Sequence, residues 1–531
     1  LDDKTRQELL ANDEFFKTVN SKPLDTQQKI ACVLDSKNVQ IIAGAGTGKT
    51  FTLIAKIKYL IAKKHVRPED ILCLSFSNTS VRDLKGKLPE NVEVRTFHSL
   101  GRSVIKQHHK VSVIENNEIL AIINDYLANA NTDTLKDILE FCDSYFLNIE
   151  SYIIRRNDRK ELLNELKEAF TKVAFKPLLA DFINLFKGNN FTKDYFSYFR
   201  SSNDDKDHDI FLKIAEDFYS YYQEYLDMHQ QIDFNDMINE SSKLIKKYRL
   251  KKHYRYILVD EYQDTTYTNY NLIKSLQDKT DAHLTVVGDD WQSIYGFRGT
   301  NIEFFSHFEE YFENPQRIFI EKTYRNPQEL IDIAGSFIMK NPKQIRKSLK
   351  SPKNLKKPVK IIYPQKNPIE KREMIYNLIK DLSEKSDDVL ILGRTNNNIN
   401  QFIKHRNLVK KGNLKKDKFL RILDKTDKSM NNVYYRTLHS SKGLEADNVI
   451  IINMVDDYLG FPSKLKTHSV LNYVNTRNYD YKYSEERRLF YVGLTRSKNN
   501  VYLISDKNNP SEFIEELMDD SLENLEIIEY N

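Results

Sequence analysis

Residues 39 to 50, Val-Gln-Ile-Ile-Ala-Gly-Ala-Gly-Thr-Gly-Lys-Thr, leave the chain few choices of fold. An apolar run suited to a strand ends in a loop with glycine at 44, 46 and 48, and a helix-forming stretch follows from Phe51 to Ala62. Glycines there let backbone N–H groups turn inward around phosphate oxygens, and the helix behind them aims its positive end at the same oxygens. Ala43, Gly44, Ala45, Gly46, Thr47 and Gly48 are therefore expected to form a phosphate cradle. Lys49 is expected to reach the β- and γ-phosphates of a nucleotide, and Thr50 to hold Mg²⁺.

A chain of 531 residues is long for one core, so two or more domains are expected. Charge of both signs is abundant, the net charge is +5, and no apolar run approaches the ~20 residues that span a bilayer. The polar start, Leu1 to Gln7, has no signal-peptide core, and Cys32, Cys73 and Cys142 lie far apart without metal-ligand spacing. These features predict a cytoplasmic protein with reduced thiols and no membrane segment. Basic residues cluster from Lys340 to Lys360 and from Lys404 to Lys418, and either run could grip a polyanion or be a solvated face.

Upstream of the cradle, Pro23 to Gln28 reads as a helix start, and the Gln28 amide could read an adenine edge. Downstream, Ile71 to Phe76 and Val94 to His98 read as strands separated by a helix, which implies a doubly wound α/β sheet. Ligands of such sheets sit beyond the carboxyl ends of the strands, where Phe76, Asn78, Thr96 and His98 fall. From about Gly101 to Gln230 strand signals vanish and apolar residues recur at helical spacing, as in Ile154 to Phe170 and Phe211 to Leu226. This predicts a helical insertion, with the tyrosine-rich stretch Phe218 to Tyr225 as amphipathic core. Sheet logic resumes near Ile232.

Tyr256 to Val259 is an apolar strand that delivers Asp260 and Glu261 to the nucleotide end of the sheet. Asp260 suits Mg²⁺ and Glu261 suits orienting and deprotonating a water. Leu284 to Gly288 leads to Trp291, Gln292, Tyr295, Phe297 and Arg298, a loop suited to sensing a γ-phosphate and stacking on bases. Ile318 to Glu321 is a further strand, before Tyr324 and Arg325. A second α/β set follows, with strands at Val359 to Tyr363, Val389 to Leu392, Val433 to Leu438, Val449 to Asn453 and Val501 to Ser505, and no second cradle. The second domain is thus expected to supply groups to the first domain's nucleotide, the candidates being Arg325, near the domain junction, and Arg496.

Taken in order, these stretches resemble superfamily 1 DNA helicases of the UvrD/Rep group, over about Leu24 to Ser505. The motifs are Leu24 to Gln28, Ala43 to Thr50, Phe76 to Asn78, Thr96 to His98, Asp260 to Thr265, Gly288 to Gly299, Tyr324-Arg325, Arg394 to Asn396, Thr437 to Glu445 and Glu485 to Arg496. Gly288 to Gln292, Ala446-Asp447 and Asn509 to Ser511 resemble the helicase IV branch, while Gly296 and Arg298 follow the broader group.

The resemblance implies two RecA-like motor domains with ATP and Mg²⁺ between them and 3′-to-5′ movement on DNA. It assigns Gln28 and Tyr324 to adenine, Lys49 and Thr50 to phosphate and Mg²⁺, and Asp260 and Glu261 to Mg²⁺ and water. Gln292, Arg325, Glu445 and Arg496 would act at the γ-phosphate, and Phe76, Asn78, Thr96, His98, Tyr295, Phe297 and His439 would touch DNA. Phe297 stands where many relatives carry tryptophan. The implied partners are single-stranded DNA, junctions of single and double strands, and a protein partner.

The expected division is 1–100 with 231–325 as the first motor, 101–230 as the helical insertion, and 326–531 as the second motor. Long relatives carry a further domain after the Arg394 motif, whereas only a short insertion near 396–432 fits here. Two activities stay open: unwinding, or translocation that remodels nucleoprotein or serves a nuclease. A GTP switch is disfavoured because no Asn-Lys-x-Asp stretch occurs. An inactive DNA-binding scaffold is disfavoured by the intact Lys49, Asp260, Glu261 and Arg496.

Overall fold

The computed structural model describes residues 3–115, 118–144, 158–364, 367–385, 388–402, 407–412, 420–425, 432–465, 467–475 and 481–530. The first sheet is wholly parallel. Its strands are β1 (Asn38–Ala43), β2 (Ile71–Ser75), β3 (Glu93–Thr96), β4 (Tyr256–Val259), β5 (His283–Gly288) and β6 (Gln316–Ile320), in the order β3-β2-β4-β5-β1-β6. Every residue of β1, β2 and β4 is buried. Helices cover both faces of such a sheet, so its strands read as continuous apolar runs without alternation.

The second sheet holds β7 (Val359–Tyr363), β8 (Val389–Gly393), β9 (Leu408–Lys411), β10 (Leu420–Asp424), β11 (Val433–Thr437), β12 (Asn448–Met454), β13 (Val501–Ser505) and β14 (Leu525–Glu529). The order is β9-β10-β11-β8-β12-β13-β7-β14, parallel from β11 to β14 and antiparallel at β9-β10-β11. The five strands expected here are all present. β9 and β10 occupy the segment read as a short insertion, so its described part extends the sheet edge. β14 lies in the acidic stretch from Glu512 to Glu529, whose charges hid it.

The helical insertion has its own core, built from Ile123, Leu135, Phe141, Phe182, Phe211 and Phe218 among others. Phe218 and Tyr222 are buried, as the amphipathic reading requires. Residues 154–157 of the expected helix from Ile154 lie outside the described residues, and that helix runs Arg159–Lys172. Ser112–Val113 pairs in parallel with Gln231–Ile232 and closes the insertion's neck. The helix Phe97–Ile105 packs its Phe97, Leu100 and Val104 into the first sheet's core, so the expected boundary at residue 101 falls inside an element of that core. Cys32, Cys73 and Cys142 are free and buried. Among the described residues no helix is long and apolar enough to cross a membrane.

Candidate nucleotide and nucleic-acid site

The loop after β1 has the geometry its glycines predict. Gly46 (φ +71°) and Gly48 (φ +82°) are left-handed, and Gly48 precedes the helix Lys49–Lys64. The Thr47 hydroxyl donates to the Gly44 carbonyl (3.0 Å) and ties the loop to itself. Lys49 is buried, and no side-chain hydrogen bond or ion pair holds it among the described residues. Its ammonium feels the Glu261 and Asp260 carboxylates through space but has no hydrogen-bonded anion, so it is free to take one in the loop.

Asp25 and Gln28 form a reciprocal cap on the helix Thr26–Val33. Gln28 Oε1 accepts from the Asp25 N–H (3.1 Å), and Nε2 donates to the Thr47 carbonyl (3.0 Å). The expected adenine reader is therefore also the strut of the phosphate loop, with one N–H of its amide left to give. Tyr324 is exposed, its backbone N–H donates to the Gly46 carbonyl (3.1 Å), and its hydroxyl donates to Asp25 (3.1 Å). Its ring is thus held beside the cradle, where a base could stack.

β4 ends at Asp260, which is buried and accepts a hydrogen bond from the Thr50 hydroxyl (2.8 Å). Burial, then the neighbouring Glu261, pushes the Asp260 carboxyl up to about 7. Glu261 takes a left-handed backbone (φ +55°), unusual for a residue with a Cβ, which turns its side chain out of the strand direction. Burial pushes the Glu261 carboxyl up, but Lys49, Lys442 and the amide of Gln263 (2.6 Å) outweigh it and hold it well below the usual range. It is the ionised member of the pair and the one suited to accept a proton.

The second domain closes over this end of the sheet. Arg496, buried at the end of the helix Ser484–Leu494, donates to Val492 (3.0 Å) and Leu444 (3.2 Å) carbonyls and, through Nη2, to Gln292 Oε1 (3.1 Å). Burial and then Arg325 push its guanidinium down to about 9, so it stays charged at neutral pH. Arg325 donates to Glu445 (2.9 Å) and to the Thr495 carbonyl (3.3 Å). Gln292 donates in turn to Asp289 (2.5 Å). The structure therefore brings Lys49, Glu261, Gln292, Arg325, Glu445 and Arg496 to one cleft.

Lys442, in the motif from Thr437 to Glu445 but with no role legible in the sequence, also stands in this cleft. Its ammonium pairs with Asp264 (2.6 Å), donates to the Gln292 carbonyl (2.9 Å), lies 3.8 Å from Glu261 and sits over the Tyr295 ring (5.2 Å). Tyr295 donates to the His439 carbonyl (3.3 Å), and Phe297, 45% exposed, meets the His439 ring edge-on (5.4 Å). Arg298 lies over both Tyr295 and Phe297. One chain of contacts thus runs from the carboxylates of the cleft to exposed aromatics.

Three expectations are corrected. Trp291 is core: it is buried, packs edge-on against Tyr491 (5.2 Å) and donates to the Ile345 carbonyl (3.0 Å), so it offers no face to a base. Thr96 is buried, and its hydroxyl caps the helix Phe97–Ile105 by accepting from the Ser99 N–H (3.1 Å). In the run from Lys340 to Lys360 three lysines are structural, while Lys343, Arg346, Lys350, Lys353, Lys356 and Lys357 are exposed. Lys347 is buried between Asp289 and Asp290, Lys340 pairs with Glu516 and Asp520, and Lys360 pairs with Glu526. Most of the Lys404 to Lys418 run lies outside the described residues. Of the other expected DNA contacts, His98 is exposed and packs edge-on against Phe234 (4.7 Å), Asn78 is exposed, and Phe76 is half-buried against Phe97.

Two family models match this chain. The UvrD/REP helicase N-terminal domain covers residues 24–313, and the UvrD-like helicase C-terminal domain covers residues 404–508. The chain belongs to the UvrD/REP helicase family, whose domains are two RecA-like motors. It is 26% identical over 522 residues to DNA helicase IV of Escherichia coli (strain K12), covering 94% of this chain and 71% of that protein. It is 25% identical to a probable DNA helicase of Mycoplasma pneumoniae, covering 91% and 83%. Against the ATP-dependent DNA helicase Rep of Buchnera aphidicola it is 27% identical over 71% of this chain, and it spans 52% of that protein.

Proposed function

We propose that this chain is an ATP-dependent DNA helicase that steps 3′ to 5′ along an unpaired strand. The observation that carries the reading is the continuous path Arg496–Gln292–Lys442–Tyr295–His439, which joins the nucleotide cleft to the exposed aromatics. ATP would lie between the Lys49 loop and Arg325 and Arg496, with its base against Tyr324 and Gln28. Its γ-phosphate would supply the hydrogen-bonded anion that Lys49 lacks. Glu261, held ionised, would orient the attacking water and accept its proton. The Thr50 hydroxyl and the Asp260 carboxylate converge on one point and are hard oxygen donors, so they fit Mg²⁺, which would neutralise phosphate charge there. Loss of the γ-phosphate removes the anion that both domains grasp. The resulting shift reaches Tyr295, Phe297 and His439, which would release and regrip bases. Stacking is worth about 1–3 kcal/mol per base and tolerates any sequence.

The division proposed for this machine keeps a first motor, a helical insertion and a second motor from 326 to 531, with the first boundary moved from 101 to the neck where Ser112–Val113 pairs with Gln231–Ile232. The work would be done on DNA in the cytoplasm. A second reading has a specific observation behind it. Where long relatives carry a further domain, the described part of 396–432 forms the edge strands β9 and β10, and a motor without such a domain would strip proteins or serve a nuclease with little unwinding of its own.

The test is Lys49→Ala. DNA-stimulated ATP turnover should fall by about 10³-fold or more while single-strand binding persists, and surviving turnover would overturn the assignment. Comparing release of a duplex with a 3′ tail against displacement of streptavidin from a biotinylated strand separates the two readings.

A further inference from the structure

The helix Phe97–Ile105 and the helix Phe234–Lys247 lie side by side and run in the same direction. His98 meets Phe234 (4.7 Å), the Ser241 hydroxyl donates to the Gly101 carbonyl (2.9 Å), and His108 stacks on Tyr248 (4.6 Å). Their carboxyl ends therefore finish together, at the edge of the first sheet where its parallel strands begin. Lys106 and Lys110 stand at one end, Lys246, Lys247, Arg249 and Lys251 at the other, and all six are exposed. The nearby acids are engaged elsewhere, Glu240 with Lys243 (3.4 Å) and Glu93 with Lys252 (2.7 Å). Cations in a helix's last turn are favoured by its dipole, but that effect fades within the turn. Lys110, Arg249 and Lys251 lie beyond it, and like charges gathered this way repel one another.

A groove connects this patch to the face expected to touch DNA. β3 is the edge strand of the sheet and pairs only with β2. Along it lies a groove of about 500 Å³, whose lining includes Asn78, Lys85, Arg95, Ser99 and Lys252. Asn78 and Ser99 mark the end where β3 finishes, and Asn78 is one of the expected DNA contacts. Lys252 marks the end where β3 starts, next to Lys251 of the patch. The one carboxylate in the lining, Glu93, pairs with both Arg95 and Lys252, so the groove as a whole is cationic.

We propose that the patch is a second nucleic-acid site, which takes the phosphates of the unpaired strand beyond the motor's own contacts. The groove leads the strand from Asn78 past Arg95 to Lys252, and the two helix ends hold its backbone. Ammonium and guanidinium groups on an open surface bind phosphate without reading bases, which suits a strand of any sequence that slides. This rests on the function proposed above, because the strand is the one the motor would walk along.

The test compares two lengths of single-stranded DNA on the whole chain. A strand of about 10 nucleotides fills one site, and one of about 40 extends well past it. The variant Lys106→Gln/Lys246→Gln/Lys247→Gln/Arg249→Gln should bind the long strand at least about tenfold more weakly, and its slope of log affinity against log salt should be shallower by about 3, from four lost phosphate contacts. Binding of the short strand should stay within about twofold. An unchanged slope with the long strand overturns the proposal and leaves the face to an acidic protein. Equal weakening with both lengths also overturns it, because the charges would then act as a general field and not as an extension of the path. Wild-type turnover that neither strand stimulates would sink the proposed function, while the binding comparison would still decide the patch. A second measurement needs no loss of charge elsewhere. The native cysteines are buried, so Lys247→Cys can carry a photoactivated cross-linker. It should attach to the long strand and not to the short one, and failure to label the long strand counts against the site.

Discussion

Arg496 and Gln292 meet across the cleft, with Nη2 of the arginine 3.1 Å from Oε1 of the glutamine, and both side chains are buried. Arg496 follows a helix of the second domain and Gln292 follows β5 of the first. A guanidinium that reaches the Gln292 amide of the opposite domain lies at the carboxyl end of the first sheet.

Arg496→Ala should therefore do more than remove a charge. A positioned arginine is worth about 10³ to 10⁵ in phosphoryl-transfer rate, so DNA-stimulated kcat should fall by at least about 10³-fold. Arg496→Lys should rescue little, because a lysine cannot keep the Val492 and Leu444 carbonyls and Gln292 together. Steady-state turnover at saturating ATP reads this directly.

Lys442→Met should separate ATP turnover from DNA. Although burial alone would lower its pKa, Asp264 and Glu261 hold Lys442 above the usual range. Its loss leaves Asp264, already pushed up to about 6 mainly by burial, without its cation. Breaking a buried pair costs about 3–5 kcal/mol, which urea unfolding would register. Stimulation by single-stranded DNA should fall more than turnover without DNA, because Tyr295 loses the group that links it to the cleft.

Lys347→Met should destabilise the chain by a similar amount, about 3–5 kcal/mol, because Asp289 and Asp290 are both fully buried beside that ammonium. The salt dependence of DNA binding should not change. A flatter slope of log affinity against log salt in this variant would show that the lysine touches phosphate after all.

His439 should make stability pH-dependent. Burial first, then Arg394 and Arg298, hold its imidazole down to about 3. An unfolded chain binds a proton at this residue below its ordinary pKa of about 6.5, and the folded one does not. Stability is therefore full above about 6.5 and declines as pH falls from there toward 3, by up to about 2 kcal/mol at pH 5. His439→Asn should remove that part of the slope, as followed by thermal unfolding between pH 5 and 8.

What the sequence made legible was local. The strand, loop and helix around Lys49, the carboxylates ending β4 and the five inner strands of the second sheet are written in contiguous residues, through apolar runs and fixed turn chemistry. What it hid depends on partners far along the chain. Trp291 looks like a stacking platform until Ile345 and Tyr491 enclose it, and Lys347 looks solvated until Asp289 and Asp290 are folded against it. Thr96 sits between half-buried Arg95 and buried Phe97, and its hydroxyl is used only because a helix starts there. The stretch 467–475 gave no signal of its burial in the insertion's core, since three aliphatic residues among polar ones describe a loop as well as an anchor. Lys442 sat inside a recognised motif, and only its four neighbours in space say what it does.

Gly44 and Gly46 have a further importance. A Cβ on Gly44 would collide with Leu349, and one on Gly46 would press on Thr323 (2.6 Å) and on the Cβ of Arg325 (2.7 Å). All three of those side chains lie in the segment that leads from the first sheet into the second domain. Even alanine at these positions would act as a wedge, prising the lobes apart whether or not a nucleotide was bound. The bareness of the loop is thus as much a condition for the halves to shut as for phosphate to nestle.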